Sequence, residues 1–401
     1  MPLTTPSLIL KRGHIKPLFW GHPWVFAKAV DSVSGGKPES GDAVRIMAPD
    51  GKFIGMAFYQ SGNAIAARML SRDEIEIDDA FIRQRVESAV AFRKKRIDPS
   101  KTNAFRLINS EGDGLPGLIV DQYGDVLSAQ FHSAAMAKRM ALFETLLLDA
   151  TGAKTLIDSS DKNLCNRESI PAPMKRSVIA GTELTGEIEY IENGLKYTLD
   201  MMKGQKTGAY LDQRENRARA AELGGGDVLD VCCHTGGFSL NLLKSGRAGA
   251  VAMIDSSLPV LEGAEANIKL NGFDPEAVEL LRGDGREVME GLLNDGRRFD
   301  TVIIDPPKLA PTRASVPKAE SAYIGFNALA LQLLNPGGLL VSCCCSGNIS
   351  ALHYEQIVSK AAADAGCQAV VIERRSAGID HPTPPGFEEG EYLKVLMVSK
   401  A

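Results

Sequence analysis

The sequence has no apolar run that approaches the roughly 18 residues needed for a membrane-spanning helix. Its start, from Met1 to Arg12, lacks the charged segment and long apolar core of a secretory signal. Its seven cysteines also lack the spacing of metal ligands, because Cys232-Cys233 and Cys343-Cys344-Cys345 are contiguous. We therefore expect no membrane span, no secretory signal and no metal site, and we expect reduced thiols in a cytoplasmic protein.

An overall excess of positive charge is absent as well. The net charge of the 401 residues is −5, which argues against a wholly basic nucleic-acid-binding protein. The charge is uneven, however, because residues 1–72 hold nine Lys or Arg against four Asp or Glu. Residues 83–96 form a second basic stretch. Phosphate contacts need local rather than total positive charge, so either stretch fits a nucleic-acid contact or an ordinary solvated surface.

The length of the chain predicts several domains, because 401 residues exceed one ordinary core. Residues 1–72 contain short, evenly spaced β segments between glycine and proline turns, which predicts a small β-barrel. Residues 73–98 are an acidic connector followed by a helix over 79–96, with Asp78 as its predicted cap. Residues 99–192 have the pattern of a separate α+β unit without a catalytic constellation.

The remaining residues, 193–401, alternate strands with helices, which is typical of a doubly wound α/β sheet with helices on both faces. The predicted strands are 227–231, 250–254, 278–281, 301–304, 339–343, 369–373 and 392–399. In such a sheet the carboxyl ends of neighbouring strands meet at a ligand crevice. The cysteine run that ends in Cys345 and the carboxylate of Asp305 each follow such a strand, so we expect them to lie close together.

A glycine turn joins the first of these strands to its helix. It reads Asp230-Val231-Cys232-Cys233-His234-Thr235-Gly236-Gly237-Phe238. Its glycines let the backbone approach a ligand and present the amides of a helix N-terminus. The turn is not G-x-G-x-x-G, which argues against NAD. Asp255 ends the next strand, where an acid can accept both ribose hydroxyls, and Asp284 follows the third, where it can accept from an adenine amine.

Taken singly, an acid at a strand end is more often a helix cap than a ligand contact. The glycine turn, Asp255 and Asp284 nevertheless occur in order at successive strand ends, and capping alone does not predict that order. Together they fit a ligand whose adenosine part is neutral and carries no pyrophosphate. S-adenosylmethionine is such a ligand.

Several stretches carry a resemblance to a known family. They are Gln205-Lys206-Thr207-Gly208-Ala209-Tyr210-Leu211-Asp212-Gln213-Arg214, Thr235-Gly236-Gly237-Phe238, Asp305-Pro306-Pro307-Lys308, Leu331-Gln332-Leu333-Leu334 and Cys345-Ser346-Gly347. On these motifs the chain resembles, along essentially its whole length, the class I methyltransferases of the bacterial 23S rRNA 5-methylcytosine family. The resemblance implies an N-terminal PUA-like β-barrel, a central α+β domain and a C-terminal Rossmann-like methyltransferase sheet. It also implies S-adenosylmethionine as cofactor, 23S rRNA of a large-subunit precursor as substrate, and a homodimer.

The resemblance also implies roles for individual residues. The implied cofactor-binding residues are Lys206, Tyr210, Arg214, Asp230, Thr235, Gly236, Gly237, Phe238, Asp255, Asp284 and Asp305. The implied RNA contacts are Lys11, Arg12, Lys16, Arg45 and Arg68 of the PUA-like domain, together with Lys308. Cys345 is implied as the nucleophile, because the family's cysteine directly precedes Ser-Gly. One departure is Ile324, which stands where related sequences commonly have a lysine. If that lysine contacts RNA phosphate, its loss alters the substrate or weakens binding.

The implied reaction needs a thiol and an acid that face one base. C5 of cytosine is not nucleophilic enough to accept a methyl group, but attack of a thiolate on C6 turns the ring into an enamine. Asp305 then relieves the charge that develops at N3, and a base that the sequence does not identify removes the C5 proton. The target base must leave its stack to meet Cys345. Cys343 and Cys344 are expected to be buried in the strand.

Two other functions stay open at this point. Asp305-Pro306-Pro307 also resembles the motif of enzymes that methylate a guanine or adenine amine, a reaction that requires no thiol. A non-catalytic RNA-binding or ribosome-assembly factor that retains the fold is the other alternative. A covalent adduct with 5-fluorocytosine RNA distinguishes the first from the thiol route, and a failure to bind S-adenosylmethionine would favour the second.

Overall fold

The computed structural model describes residues 5–171, 173–203 and 208–401. It divides the chain into two compact units. The first comprises Met1–Ile191, Leu199–Leu211 and Ile379–Glu388, and the second comprises Glu192–Thr198, Asp212–Gly378 and Glu389–Ala401. The finer division into segments 1–72, 73–98, 99–192 and 193–401 stays a prediction. Within the described ranges, no helix is both long and apolar enough to cross a membrane.

The first unit begins with a six-stranded sheet. Its strands are β1 Ser7–Leu10, β2 Trp24–Phe26, β3 Val30–Ser34, β4 Ala43–Met47, β5 Phe53–Tyr59 and β6 Ile65–Ser71. They are ordered β2-β6-β5-β4-β1-β3, and only β1 and β4 run parallel to each other. A short helix, α1 Lys16–Phe19, lies between β1 and β2 in the sequence. The core of this sheet contains Leu8, Val44, Ile46 and Ala67, all of them fully buried.

The rest of the first unit is built on helix α2, Asp79–Arg96, and a five-stranded sheet. Asp78 caps α2 as predicted, because its side chain accepts a hydrogen bond from Phe81 N at 2.8 Å. The sheet has the order β11-β10-β9-β8-β7. Its strands are β7 Ala104–Asn109, β8 Leu118–Tyr123, β9 Val126–Phe131, β10 Thr155–Asp158 and β11 Ser177–Gly181, and its helices are α3 Ala134–Ala137, α4 Met140–Thr151 and α5 Lys162–Arg167.

Two further strands, β12 Ile188–Glu192 and β13 Leu195–Leu199, form a two-stranded sheet. The second unit then contains a seven-stranded sheet in the order β16-β15-β14-β17-β18-β20-β19. Its strands are β14 Gly226–Val231, β15 Ala248–Asp255, β16 Val278–Arg282, β17 Phe299–Ile304, β18 Leu334–Cys344, β19 Ala369–Arg375 and β20 Lys394–Lys400. Its helices are α6 Arg214–Leu223, α7 Gly237–Ser245, α8 Leu258–Leu270, α9 Gly285–Asn294, α10 Val316–Leu333 and α11 Ala351–Asp364.

All seven strands predicted for the second unit are confirmed. The first five in the chain, β14 to β18, are parallel, whereas β20 lies antiparallel between β18 and β19. The largest difference is in β18, which begins at Leu334 rather than at 339. Asn335-Pro336-Gly337-Gly338 reads as a turn in the sequence, but the structure accommodates it as an irregularity in the pairing of β17 and β18.

The order of this sheet fixes the place of a ligand crevice. From β14 the chain proceeds outward to β15 and β16, and it then returns to the other side of β14 to form β17 and β18. This reversal is a topological switch point, at which α/β sheets bind ligands beyond the carboxyl ends of their strands. The strands are anchored by a buried cluster that includes Val231, Ile254, Ile304 and Leu340, so the loops that follow them start from rigid positions.

Candidate active site

The structure brings Asp305 and Cys345 to the same edge of the second unit's sheet. Strands β17 and β18 pair with Ile304 opposite Ser342, so both residues lie just beyond the paired region. The Cys345 Sγ donates to the carbonyl oxygen of Pro306 at 3.8 Å, and Pro306 directly follows Asp305. The backbone N–H of Asp305 donates to Val231 O, the last residue of β14, at 3.2 Å. A thiol and a carboxyl group therefore both lie at the edge of the sheet where the switch point is.

The three contiguous cysteines have different environments. Cys343 and Cys344 are fully buried, as expected for residues that fill the strand, whereas Cys345 is partly exposed. Burial, followed by the charge of Asp305, raises the pKa of the Cys343 thiol well above its ordinary value. Cys344 packs in the core cluster of the unit. Of the three thiols, Cys345 is thus the one that a substrate in the crevice can reach.

Asp305 lies in surroundings that favour its protonated form. Burial and then the negative charge of Asp212 raise its pKa to about 7, with a smaller contribution from Asp230. The positive charge of Arg217 and a hydrogen bond from Gln213 Nε2 to Asp305 Oδ2, at 3.2 Å, oppose the increase. Near neutral pH, part of the population therefore carries a carboxylic acid that can donate a proton or a hydrogen bond.

Gln213 is a functional-site residue that sequence reasoning noticed only as part of a motif. It is buried, and its Oε1 accepts a hydrogen bond from Asn216 Nδ2 at 2.7 Å. Asn216 in turn donates to Ser376 O at 3.0 Å and accepts from Arg375 Nε at 2.8 Å. This chain of contacts orients the Gln213 amide so that its NH₂ group faces Asp305. The sequence shows only an amide directly after Asp212. Its partner Asp305 lies 92 residues away, and the residues that hold Asn216 lie about 160 residues from it.

The conformation and packing of the glycine turn after β14 favour glycine at two positions. Gly236, the residue before α7, has φ +83°, a conformation in which side chains are strained. A Cβ at Gly237 would lie 2.5 Å from Arg217 Nε, so a side chain there would have to displace the Arg217 side chain. The backbone N–H of His234 donates to Asp255 Oδ2 at 3.2 Å, which joins the turn to the end of β15. Burial lowers the pKa of His234 to about 4, so its ring is neutral.

Besides Asp305, three acids are predicted to bind the cofactor, and they occupy different positions. Asp255 is partly exposed at the end of β15, where Oδ1 also accepts from Ser257 N at 3.0 Å. Asp284 is exposed and caps α9, because its Oδ1 accepts from the backbone of the helix's first turn. Asp230 is fully buried, and its Oδ2 accepts from Ser239 N at 3.2 Å and from Ser239 Oγ at 2.7 Å. Asp255 and Asp284 can contact a ligand, whereas Asp230 holds the start of α7.

The other predicted cofactor residues are distributed over several parts of the structure. Thr235 is partly exposed in the glycine turn, and Phe238 is buried in the first turn of α7. Arg214 is buried and its Nη2 lies 3.3 Å from Glu215 Oε1. Tyr210 belongs to the first unit. Lys206 lies outside the described residues.

The predicted RNA contacts of the first unit differ in their accessibility. Lys11, Arg12 and Lys16 are exposed. Arg45 is partly exposed and forms a salt bridge with Glu74 at 2.7 Å. The prediction for Arg68 is not supported. It is buried, and its Nη1 and Nη2 donate to the carboxylate of Glu168 at 3.2 and 2.8 Å. The Arg68 guanidinium is therefore bound to a carboxylate inside the protein and is not available to contact an RNA phosphate.

Two further positions concern the second unit. Lys308 is exposed three residues after Asp305, on the loop that follows β17. Ile324 is almost fully buried and packs in the core cluster through α10. The position where relatives commonly have a lysine is therefore part of the apolar core in this chain.

Comparisons with known proteins agree with these features. A family model for a PUA-like domain matches residues 8–72, and one for an S-adenosylmethionine-dependent methyltransferase matches residues 117–396. The chain is 37% identical to ribosomal RNA large subunit methyltransferase I of Shewanella denitrificans, over 97% of this chain and 98% of that protein. It is 35% identical to the protein of that name from Vibrio cholerae, with the same coverage of each chain.

Solved structures support the fold. A predicted S-adenosylmethionine-dependent methyltransferase from Streptococcus mutans superposes with a TM-score of 0.82 at 18% identity, over 98% of this chain and 99% of that one. A predicted methyltransferase in complex with SAH superposes with a TM-score of 0.84 at 19% identity, with the same coverage. The predicted α/β fold class is thereby confirmed over nearly the whole chain.

Proposed function

The chain belongs to the S-adenosylmethionine-dependent methyltransferase family, among the ribosomal RNA large subunit methyltransferase I proteins, and from this we propose that it methylates C5 of a cytosine in 23S rRNA. The N-terminal domain is PUA-like and the cofactor is S-adenosylmethionine, as predicted. The observation that carries the cytosine-C5 chemistry is the Cys345 thiol, partly exposed and 3.8 Å from the carbonyl that follows Asp305. Methylation of a base amine gives no role to such a thiol.

The crevice has the features that S-adenosylmethionine needs. The positive φ of Gly236 shapes the turn that leads into α7, and the amides at the start of this helix suit a polar ligand. The partly exposed carboxylate of Asp255 suits the ribose hydroxyls, and the exposed Asp284 suits the adenine amine. When bound there, the cofactor supplies an electrophilic methyl group on a positively charged sulfur.

In the proposed mechanism, Cys345 begins the reaction. Its thiolate forms a bond to C6 of cytosine, and the electrons of the C5–C6 double bond move through the ring toward N3. A protonated Asp305 donates to N3, so negative charge does not accumulate on the ring. The pKa of about 7 makes this acid form available near neutral pH. C5 becomes the carbon of an enamine and is then nucleophilic enough to accept a methyl group.

The reaction ends with restoration of the aromatic ring. A base removes the proton from C5, the C5–C6 double bond forms again, and the sulfur–C6 bond breaks to return the Cys345 thiolate. N3 gives its proton back to Asp305, so the neutral product and the acid form of Asp305 are both restored. The target base has to be unstacked for these steps, because within a helix the thiol cannot reach C6 and the methyl donor cannot reach C5. We propose that exposed Lys11, Arg12 and Lys16, and Lys308 beside the site, bind RNA phosphates. Recognition of a large-subunit precursor and formation of a homodimer stay predictions.

The proposed chemistry is tested with RNA that contains 5-fluorocytosine. Because fluorine at C5 cannot be removed as a proton is, the wild-type protein should accumulate a covalent RNA–protein adduct in the presence of S-adenosylmethionine. Denaturing gels should reveal it, and peptide mass spectrometry should place it on Cys345. The matched control is Cys367→Ala, which removes a partly exposed thiol elsewhere and should leave adduct formation unchanged. Methylation of ordinary RNA at a guanine or adenine amine, without an adduct, would instead support the amine-methylating alternative.

We expect Asp255→Ala to weaken S-adenosylmethionine binding about 10- to 100-fold, the effect of losing hydrogen bonds to a charged group. Isothermal titration calorimetry measures the change. The control is Asp227→Ala, which removes an exposed acid from the opposite end of the neighbouring strand β14. Equal affinities for the wild type and Asp255→Ala would contradict the ribose assignment.

A further inference from the structure

Lys394 is a buried cation at the first position of β20. Its Cα is paired with that of Cys344 across the antiparallel strands, and the residue is only 6% exposed. Its Nζ donates to Ser346 O at 2.7 Å and to Tyr392 O at 2.9 Å. Among the described residues, no carboxylate forms a salt bridge with it. A buried ammonium group that only carbonyl oxygens contact is costly unless a negative charge lies nearby.

The contacts of Lys394 converge on the segment that carries the proposed nucleophile. Ser346, the residue after Cys345, is fully buried, and its Oγ accepts from Ala310 N at 3.0 Å. The hydroxyl of Tyr323 on α10 lies 3.2 Å from the same Oγ. With Lys394 bound to the carbonyl, Ser346 is held from the loop after β17, from α10 and from β20. These contacts therefore also restrict the backbone of Cys345, the residue before Ser346.

Lys394 places a buried positive charge near the thiols of this segment. Burial lowers the pKa of Lys394, an effect that the sulfurs of Cys344 and Cys345 oppose and that exposed Lys308 reinforces. Other titratable groups whose charge interacts with the thiols of this segment include Asp305, Tyr323 and Tyr354, and each of them is neutral or negative in its two protonation states. Lys394, on β20, adds a buried positive charge whose interaction reaches Cys345.

We propose that Lys394 is a positioning residue for Cys345, which fixes the Ser346 carbonyl and, through its positive charge, stabilises the Cys345 thiolate. The inference rests on the proposed function in taking Cys345 as the nucleophile, but its electrostatic part can be measured without RNA or cofactor. The interaction is mutual, because an ionised Cys345 provides a negative charge near the buried ammonium group of Lys394. The pair then favours charge on both partners, as a thiol beside a lysine does in other proteins.

The test is the pH dependence of Cys345 alkylation. Full-length protein is treated with iodoacetamide at a series of pH values, and the rate at Cys345 is followed by peptide mass spectrometry. Lys394→Met replaces the ammonium group with a neutral side chain of similar length. We expect it to shift the midpoint of the alkylation profile upward, on the order of one pH unit, since the neighbouring charge no longer favours the thiolate.

Matched variants separate charge from structure. Lys394→Arg keeps the charge and should retain most of the wild-type midpoint, whereas Tyr323→Phe removes one contact to Ser346 without a change of charge and should leave the midpoint unaltered. If Lys394→Met does not fold, as circular dichroism would reveal, Lys394→Gln takes its place in the same measurement. Equal midpoints for the wild type and the neutral variant would overturn the inference.

The two proposals fail in distinguishable ways. If wild-type protein forms the 5-fluorocytosine adduct but the midpoint does not respond to Lys394, the role of Lys394 is wrong and the chemistry stands. If the midpoint shifts but no adduct forms on Cys345, the electrostatic coupling stands and the cytosine-C5 mechanism is wrong.

Discussion

Replacement of Cys345 by alanine should lower methyl transfer to RNA by about 10⁴-fold or more, the scale observed when a catalytic nucleophile is removed. Without the thiolate, no bond to C6 forms and C5 stays unreactive. S-adenosylmethionine affinity should be unchanged, because the glycine turn and Asp255 lie on other strands. Single-turnover transfer of a radiolabelled methyl group measures the rate, and calorimetry measures the affinity.

Two other cysteine variants provide the comparison. Cys367→Ala removes a partly exposed thiol and should retain the wild-type rate. Cys343→Ala removes a fully buried thiol next to Asp305, so a modest loss through packing is expected, but not the loss of the reaction. Full activity of Cys345→Ala would sink the assignment of the nucleophile. Loss of activity in both Cys343→Ala and Cys345→Ala, with both folded, would show that the two thiols act together.

Removal of the Asp305 carboxyl group has the second largest expected effect. Asp305→Ala should lower kcat/KM about 10²- to 10⁴-fold, the usual contribution of a general acid. The wild-type rate should also fall as pH rises through about 7, because Asp305 then loses the proton that it donates to N3. Asp305→Asn keeps an N–H donor at every pH. It should therefore lose this alkaline limb and retain more activity than Asp305→Ala.

The same carboxyl group should affect stability with a defined sign. Its pKa in the folded protein is about 7, raised above the ordinary value of 3.8, so folding favours the protonated form. The contribution to stability is present below pH 4 and is lost as pH rises toward 7. At pH 8, Asp305→Asn should therefore have a higher melting temperature than the wild type. Asp295→Asn, at an exposed position in the same unit, should not. A lower melting temperature for Asp305→Asn would contradict the raised pKa.

Strand-and-helix alternation was enough to predict the second unit, because each buried strand is an apolar run bounded by turn residues. The same pattern placed Asp255, Asp284, Asp305 and Cys345 beyond strand ends, where the structure has them. In contrast, β1, β2 and β3 were not predicted. β1 and β2 have only four and three residues, and β3 is mostly exposed and does not alternate apolar with polar residues.

Residues that act through distant partners were beyond sequence reasoning. Gln213 reaches Asp305 across 92 positions, and Lys394 reaches Ser346 across 48. Arg68 shows the opposite error, because a basic residue in a basic segment was expected to face phosphate. Its partner Glu168, 100 positions away, neutralises it inside the fold. Local sequence specifies which groups are available, but only the tertiary structure specifies which of them meet.

The position of β20 has a consequence for synthesis of the protein. This strand follows the other six strands of its sheet in the chain, yet it lies between β18 and β19 and carries the lysine that contacts the segment after Cys345. A nascent chain that ends before Lys394 already contains both the thiol and Asp305, but β18 has an open edge and no buried cation beside its end. The proposed reactive centre is therefore complete only after β20 has been synthesised and has paired with β18.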